Sequence, residues 1–315
     1  MVDRYGVIGF PVGHSQSPLI HAAFAAETAQ SLTYVRVEGL PERFEAQVTD
    51  LAAEGWRGLN VTLPFKERAL ALAQSTAPHG GGASLAAALA GAANTLSFAG
   101  GAIQADNTDG CGLMRDLEVR LGLTLAGKRI LVLGAGGAVR GIFAPLLERA
   151  PACLHVANRT RARAEDLVAS FGAGLSAQPR LAALRASAGD ALQAFEARVV
   201  SAQVDGRLAV CTLEALARAP AYDLILNGTA GGLSGDSLAL SPALFGVDTV
   251  AYDLAYRADG ETVFMQQARA AGATAVHDGL GMLMEQAAQA FLCWRGVLPQ
   301  TDPVLANLRA SLRAT

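Results

Sequence analysis

The stretch Ile130-Leu131-Val132-Leu133-Gly134-Ala135-Gly136-Gly137 decides the fold. Successive apolar residues without alternation are the pattern of a strand buried on both faces, as in a parallel sheet covered by helices. The glycines then join that strand directly to a helical pattern running through Arg149. At such a junction Gly permits a tight turn and lets backbone N–H groups approach a pyrophosphate seated at the helix N-terminus. The full Gly-x-Gly-x-x-Gly spacing is not met, because Val139 stands at its last position. An ordinary βα turn is the competing reading, and the βαβ context favours a nucleotide loop.

Downstream, Leu154–Ala157 reads as the next strand and ends in Asn158-Arg159-Thr160-Arg161-Ala162-Arg163. A site for NAD usually places an acid ~20 residues past the loop, on the ribose hydroxyl. Here no acid precedes Glu165. Guanidinium groups suit a phosphate dianion that a carboxylate would repel, so the pattern favours NADP over a merely solvated helix start. Leu224–Asn227 and Thr249–Asp253 read as later strands of the same sheet.

Upstream, strands at Tyr5–Gly9, Thr33–Val37 and Gly58–Val61 alternate with helices at Pro18–Ala29, Pro41–Glu54 and from Lys66. Ser17 is placed to cap the first of these helices, with Pro18 at its first position. A helix is expected over Asn107–Leu121, and long Ala/Leu/Met helices follow Gly279. The expected fold is therefore α/β. An N-terminal α/β substrate lobe (1–108 and 279–315) joins a Rossmann-like, doubly wound nucleotide lobe (109–278), and the C-terminal helices return to the first lobe.

With 315 residues, the chain holds about two domains at ~150 residues each. Hydrophobic residues make up 51% and charged residues 17%, with a mean hydropathy of +0.30; this composition excludes intrinsic disorder. A net charge of −3 without a basic stripe argues against a nucleic-acid partner. Cys111, Cys153, Cys211 and Cys293 are far apart in sequence, which argues for a reducing compartment, the cytoplasm. Asp3 and Arg4 lead at once into the first strand, so no signal peptide is expected. The stretch from Ala69 to Ala105 carries no charged residue. Its polar and glycine interruptions leave it short of the ~20 apolar residues of a membrane span. It reads as helix, Gly-rich loop, helix and strand.

Three polar clusters remain. Asn60-Val-Thr62-Leu-Pro-Phe-Lys66 presents a lysine just beyond a strand end, where open α/β sheets offer ligand-binding groups. Asp106-Asn107-Thr108-Asp109-Gly110 offers carboxylates, and an ammonium beside a carboxylate can donate and recover a proton. Spacing alone does not show that Lys66 and Asp109 meet; singly, each reads as a surface charge or a cap. In Gly13-His14-Ser15-Gln16-Ser17-Pro18, two alternate hydroxyls could bind a carboxylate or merely cap and turn. The 5 histidines fit no metal-ligand spacing, and no metal is expected.

Taken in order, these stretches resemble the shikimate dehydrogenase family over nearly the whole chain. The matches are Gly9–Pro18, Asn60–Lys66, Gly91–Leu96 with Asn94-Thr95, Asn107–Gly112, Val132–Arg140, Asn158–Arg163, Asp223–Thr229, Asp253–Tyr256 and Gly279–Gln286. The resemblance implies NADPH-dependent reduction of 3-dehydroshikimate to shikimate in aromatic biosynthesis, with Lys66 and Asp109 as the acid–base pair. It implies Ser15 and Ser17 as carboxylate ligands and Asn60, Thr62, Asn94 and Gln286 as partners of the ring hydroxyls. Tyr256 is implied near the substrate, and Leu254 and Gly279 near the nicotinamide. Gly134, Gly136, Gly137, Ala138 and Arg140 match the phosphate loop; Asn158, Arg159, Thr160 and Arg163 match the clamp on the 2′-phosphate.

The chain departs from the family at Ala230, where a serine is usual, in lacking a proline after Asp253–Tyr256, and around Pro78–Ser84. A longer insertion lies within about 176–207. There Leu181, Leu184, Ala188, Leu192, Phe195 and Val199 keep a helical stripe broken at Gly189. Trimming this insertion is expected to leave an active enzyme if Leu192 and Phe195 are not core. The rival functions are a paralogue that also takes quinate or uses NAD, and a catalytically idle NADP-binding regulator. A monomer or a homodimer is expected.

Overall fold

Two six-stranded sheets organise the computed structural model, which describes residues 2–76, 81–229, 240–258 and 260–313, with backbone alone at 186–187. The chain forms two compact units. The first runs to Leu113 and resumes over Leu283–Arg309; the second covers Met114–Met282 and resumes at Ala310.

The first unit contains β1 (Asp3–Gly9), α1 (Ser17–Glu27), β2 (Leu32–Glu38), α2 (Phe44–Ala53), β3 (Gly58–Val61) and α3 (Lys66–Ser75). It continues with β4 (Gly82–Ala83), α4 (Leu85–Ala90), β5 (Thr95–Ala99), β6 (Ala102–Asp106) and the start of α5 (Asp109–Arg115). Strand order is β2-β1-β3-β5-β6-β4. β1 pairs in parallel with β2 and β3, as βα units require, while β5 runs antiparallel to both β3 and β6. The single strand expected before Ala105 is thus a hairpin. Gly100 and Gly101, with φ of +58° and +81°, make the two-residue turn whose twist suits paired strands. α1 also begins differently from expectation. Ser17 is its first helical residue, not its cap, and the Ser15 Oγ accepts the Ser17 N–H at 3.3 Å. The Leu19 and Ile20 N–H groups instead both go to the Gln16 carbonyl, at 3.1 and 3.2 Å, so the Ser17 hydroxyl does not cap the helix.

The second unit contains β7 (Arg129–Leu133), α6 (Gly137–Glu148), β8 (Cys153–Ala157), α7 (Arg161–Ala169), α8 (Arg185–Val204) and β9 (Leu208–Cys211). Then come α9 (Leu213–Leu216), β10 (Tyr222–Asn227), β11 (Phe245–Asp253), α10 (Val263–Ala270) and β12 (Ala275–His277). α11 (Leu280–Arg295) carries the chain back into the first unit, and α12 (Asp302–Arg313) follows. All six strands are parallel in the order β12-β11-β10-β7-β8-β9. This is the doubly wound order of dinucleotide folds, with the glycine loop at its switch point.

The inserted segment is structural. Pro179–Leu184 forms 3₁₀ turns, and α8 bends at Ala188 (φ −134°, ψ 18°), one residue before the expected break. Leu181, Leu192, Phe195 and Val199 are buried. Phe195 meets the edge of Phe171 at 6.4 Å, and Phe171 packs on Phe143 of α6 at 4.8 Å. Glu196 accepts the Gly174 and Ser176 N–H groups at 2.6 and 2.9 Å. Because the segment lies on the crossover between paired β8 and β9, the expectation that it can be trimmed does not hold.

After α5 the chain makes a π-helical turn, Asp116–Arg120. The fully buried Asp116 pairs with Arg120 and accepts the Tyr252 hydroxyl at 2.6 Å; that hydroxyl in turn accepts the Met282 N–H at 3.1 Å. Tyr252→Phe removes a donor from the carboxylate and an acceptor from Met282. It should lower stability by about 1–3 kcal/mol, read as a lower urea midpoint with unchanged slope; an unshifted midpoint would show the network to be dispensable. Among the described residues no helix is long and apolar enough to cross a membrane.

Candidate active site

In the first unit β3 ends where Pro64 interrupts the ladder, and Lys66 opens α3. Asp109 opens α5. Their side chains meet, with Lys66 Nζ 2.6 Å from Asp109 Oδ2, the lysine 21% and the aspartate 5% exposed. Asp109 therefore has little water to replace a lost partner, while Lys66 keeps a path to solvent.

Asn94, on the turn before β5, locks this pair. Its Nδ2 donates to Asp109 Oδ1 (2.8 Å), Thr108 Oγ1 (3.0 Å) and Gln286 Oε1 (2.9 Å). Its Oδ1 accepts the Thr108 N–H at 2.8 Å and the Thr95 hydroxyl at 3.0 Å. Donors on one atom and acceptors on the other determine the amide orientation. Asn107 holds the start of α5, accepting the Asp109 N–H at 3.1 Å and donating to the Ala92 carbonyl at 2.9 Å. Asn60 faces the same cluster, its Nδ2 3.2 Å from both the Asn94 carbonyl and Thr95 Oγ1. Thr62 follows at the end of β3 and is half-buried. Ser15 and Ser17, both half-buried, face each other with hydroxyls 3.1 Å apart. Thr95, Thr108 and Tyr34 join these networks without having been assigned a role; Thr95, in the Asn94-Thr95 match, and Thr108, inside the Asp106–Gly110 cluster, carried a signal, and Tyr34 did not.

In the second unit the glycine loop leaves β7 through Gly134 at φ +105°, where a Cβ would stand 2.8 Å from the Gly228 carbonyl. Gly136 occupies the cap position of α6 with no side-chain hydrogen bond, and a Cβ on Gly136 or Gly137 would meet nothing within 4 Å. The N-terminal N–H groups of α6 thus face open space beside exposed Ala138, as an anion cradle needs. Arg140, in the first turn of α6, donates to Ser170 Oγ at 3.0 Å. At the end of β8, Arg161 pairs with Glu165 at 2.7 Å. Arg159, Thr160 and Arg163 are exposed, and Asn158 braces the turn by donating to the Thr160 carbonyl at 2.8 Å. The residues present fit a dinucleotide with a phosphate on its ribose.

Beyond β11, Leu254 and Gly279 are in close contact: the Gly279 N–H donates to the Ala255 carbonyl at 3.0 Å, and a Cβ there would collide with the Leu254 carbonyl. Buried Asp253 holds this turn through Asn227 and the Ala255 N–H at 3.1 and 3.0 Å, and burial raises its carboxyl above the ordinary range. Tyr256 follows, half-buried, its hydroxyl pKa raised by burial and then by Asp278. Ala230 lies outside the described residues, as does part of the Pro78–Ser84 stretch.

Residues 7–96 match the family model of the shikimate dehydrogenase substrate binding domain, and residues 117–219 match that of shikimate / quinate 5-dehydrogenase. A shikimate dehydrogenase (NADP(+)) from Methylobacillus flagellatus is 46% identical over 310 residues, covering 98% of this chain and 100% of the relative. This chain belongs to the shikimate dehydrogenase family. Another member, from Dechloromonas aromatica, is 43% identical across 100% of both chains. The solved structure of an Ael1 enzyme from Pseudomonas putida superposes with a TM-score of 0.79 at 40% identity, covering 97% of this chain and 98% of that one. The shikimate 5-dehydrogenase of Thermus thermophilus, solved with NADP(H) and shikimate, gives a TM-score of 0.76 at 30% identity over 99% and 100% of the two chains. Shikimate dehydrogenase membership accounts for both half-sites, an acid–base pair among amides and hydroxyls, and a glycine cradle followed by arginines.

Proposed function

We propose that this chain reduces 3-dehydroshikimate to shikimate with NADPH, reversibly, as a step of aromatic biosynthesis. The observation that carries this reading is the Lys66–Asp109 contact, locked by Asn94, in a chain 46% identical to a relative named for this activity. When bound, NADPH supplies the hydride that reduces the ketone carbon. Lys66 gives a proton to the oxygen as negative charge develops there, and recovers one through its exposed edge. Asp109 Oδ2 holds the ammonium in place while Oδ1 is fixed by Asn94, so the proton donor does not wander. Ser15 and Ser17 turn their hydroxyls onto the substrate carboxylate, and Asn60, Thr62 and Gln286 take the ring hydroxyls. Tyr256 is assigned to the substrate, and Leu254 and Gly279 to the nicotinamide.

Gly134, Gly136, Gly137 and Ala138 cradle the pyrophosphate, with Arg140 bracing α6 behind them. Asn158, Arg159, Thr160 and Arg163 hold the 2′-phosphate. All four cysteines are unpaired, which supports the cytoplasm as the compartment. Steady-state rates with shikimate and quinate, each with NADP and NAD, test the whole assignment; quinate turnover equal to that of shikimate would overturn it.

Arg159→Ala tests the cofactor half. A hydrogen bond to a charged group contributes about 1.5–3 kcal/mol, or roughly 10- to 150-fold in affinity. KM for NADP should rise within that range and KM for NAD should hardly move, and added salt should weaken NADP binding more than NAD binding. Equal loss with both cofactors would assign Arg159 to the fold instead.

A further inference from the structure

Tyr34, on β2, belongs to none of the motifs that mark the site. Its hydroxyl nevertheless donates to Asn60 Oδ1 at 2.7 Å, directly against one of the ring-hydroxyl ligands proposed above. Because Tyr34 donates, Asn60 must present its oxygen to Tyr34 and its amide hydrogens to Asn94 and Thr95, and the alternative flip would oppose like groups.

The Tyr34 ring is itself held. His21 of α1 lies flat against it, centroids 4.1 Å apart and planes 5° apart, with Phe24, Phe291 and Trp294 around the imidazole. His21 is 1% exposed, and neither ring nitrogen has a hydrogen-bond partner. Desolvation pushes its pKa down to about 3; nearby Asn60 opposes the shift without reaching hydrogen-bond geometry. The imidazole is thus a neutral flat plate, and its contribution is shape.

We propose that Tyr34 is a positioning residue for substrate recognition: its hydroxyl, with the ring clamped by His21, sets the orientation of the Asn60 amide. The inference rests on the reading that Asn60 binds the substrate. Steady-state oxidation of shikimate by NADP, with Tyr34→Phe, Asn60→Ala and the double variant, tests it and that reading separately. Tyr34→Phe should raise KM for shikimate about 3- to 10-fold, the range for one neutral hydrogen bond, with kcat and KM for NADP within about twofold. In the Asn60→Ala background the same change should have little further effect, because coupled residues are not additive. His21→Phe should keep the wild-type KM for shikimate, and His21→Ala should raise it. If Asn60→Ala alone leaves KM for shikimate unchanged, the binding reading of Asn60 falls, and this inference with it. If Asn60→Ala acts but Tyr34→Phe is silent, or the two effects simply add, the site survives and the positioning role is overturned. A Tyr34→Phe protein with a lower melting temperature and equal losses in kcat and both KM values would make Tyr34 a packing residue, again overturning it.

Discussion

Lys66→Ala lowers kcat for shikimate oxidation by about 10²–10⁴-fold, the usual contribution of a positioned acid–base group, and leaves KM for NADP unchanged. The second half follows from placement, since the lysine opens α3 in the first unit while the glycine cradle and Arg159 belong to the second. The variant should still fold. Asp109 loses its ammonium partner but keeps the Asn94 amide on Oδ1 at 2.8 Å, so the buried carboxylate is not stripped of donors. The check is kcat and both KM values on purified protein, with the melting temperature measured beside them. Turnover close to that of the parent would remove Lys66 from the chemistry.

Excising residues 176–207 should prevent the second unit from folding. The segment buries Leu192, Phe195 and Val199 on the crossover that leads into β9. Truncating one Phe or Leu of this kind typically costs about 2–5 kcal/mol, against a total stability of about 5–15 kcal/mol for a domain. Losing all of them together exceeds what one unit can absorb. Phe195→Ala is the graded version. It should lower stability by about 3–5 kcal/mol through its lost contact with Phe171, while KM for shikimate stays put. A soluble excised protein with the parental melting temperature would show that the remaining core closes without the segment.

Much of this architecture is legible in the sequence because it rests on local chemistry. The run from Ile130 to Gly137 announces its strand and loop, and the lack of an acid between Ala157 and Glu165 announces a phosphate. Short elements are less readable. β9 and β12 span only Leu208–Cys211 and Ala275–His277, too few residues for a period to show. The hairpin of β5 and β6 hides because each arm is only 5 residues long, although Gly100-Gly101 is a genuine turn signal. In the insertion the stripe from Leu181 to Val199 is visible, but a stripe does not say whether it faces a core or a partner. Tertiary meetings are the least readable of all. Nothing local tells Lys66 that Asp109 is its neighbour, or Tyr34 that it meets Asn60.

The discontinuous first unit has a consequence for the order of events on the ribosome. Its N-terminal sheet is not sealed until α11 arrives, when Trp294 donates to the Leu96 carbonyl at 3.0 Å, Arg295 pairs with Asp3 and Phe291 becomes fully buried. The whole of Met114–Met282 is translated in between, a wait of roughly 10–30 s at ~5–20 residues per second. During that interval the emerging sheet exposes the apolar surface α11 will cover, and by its end the second unit has all its strands. The first unit begun is therefore completed only by α11, and a nascent chain stalled before Leu283 would hold every strand of both sheets with the first still unsealed.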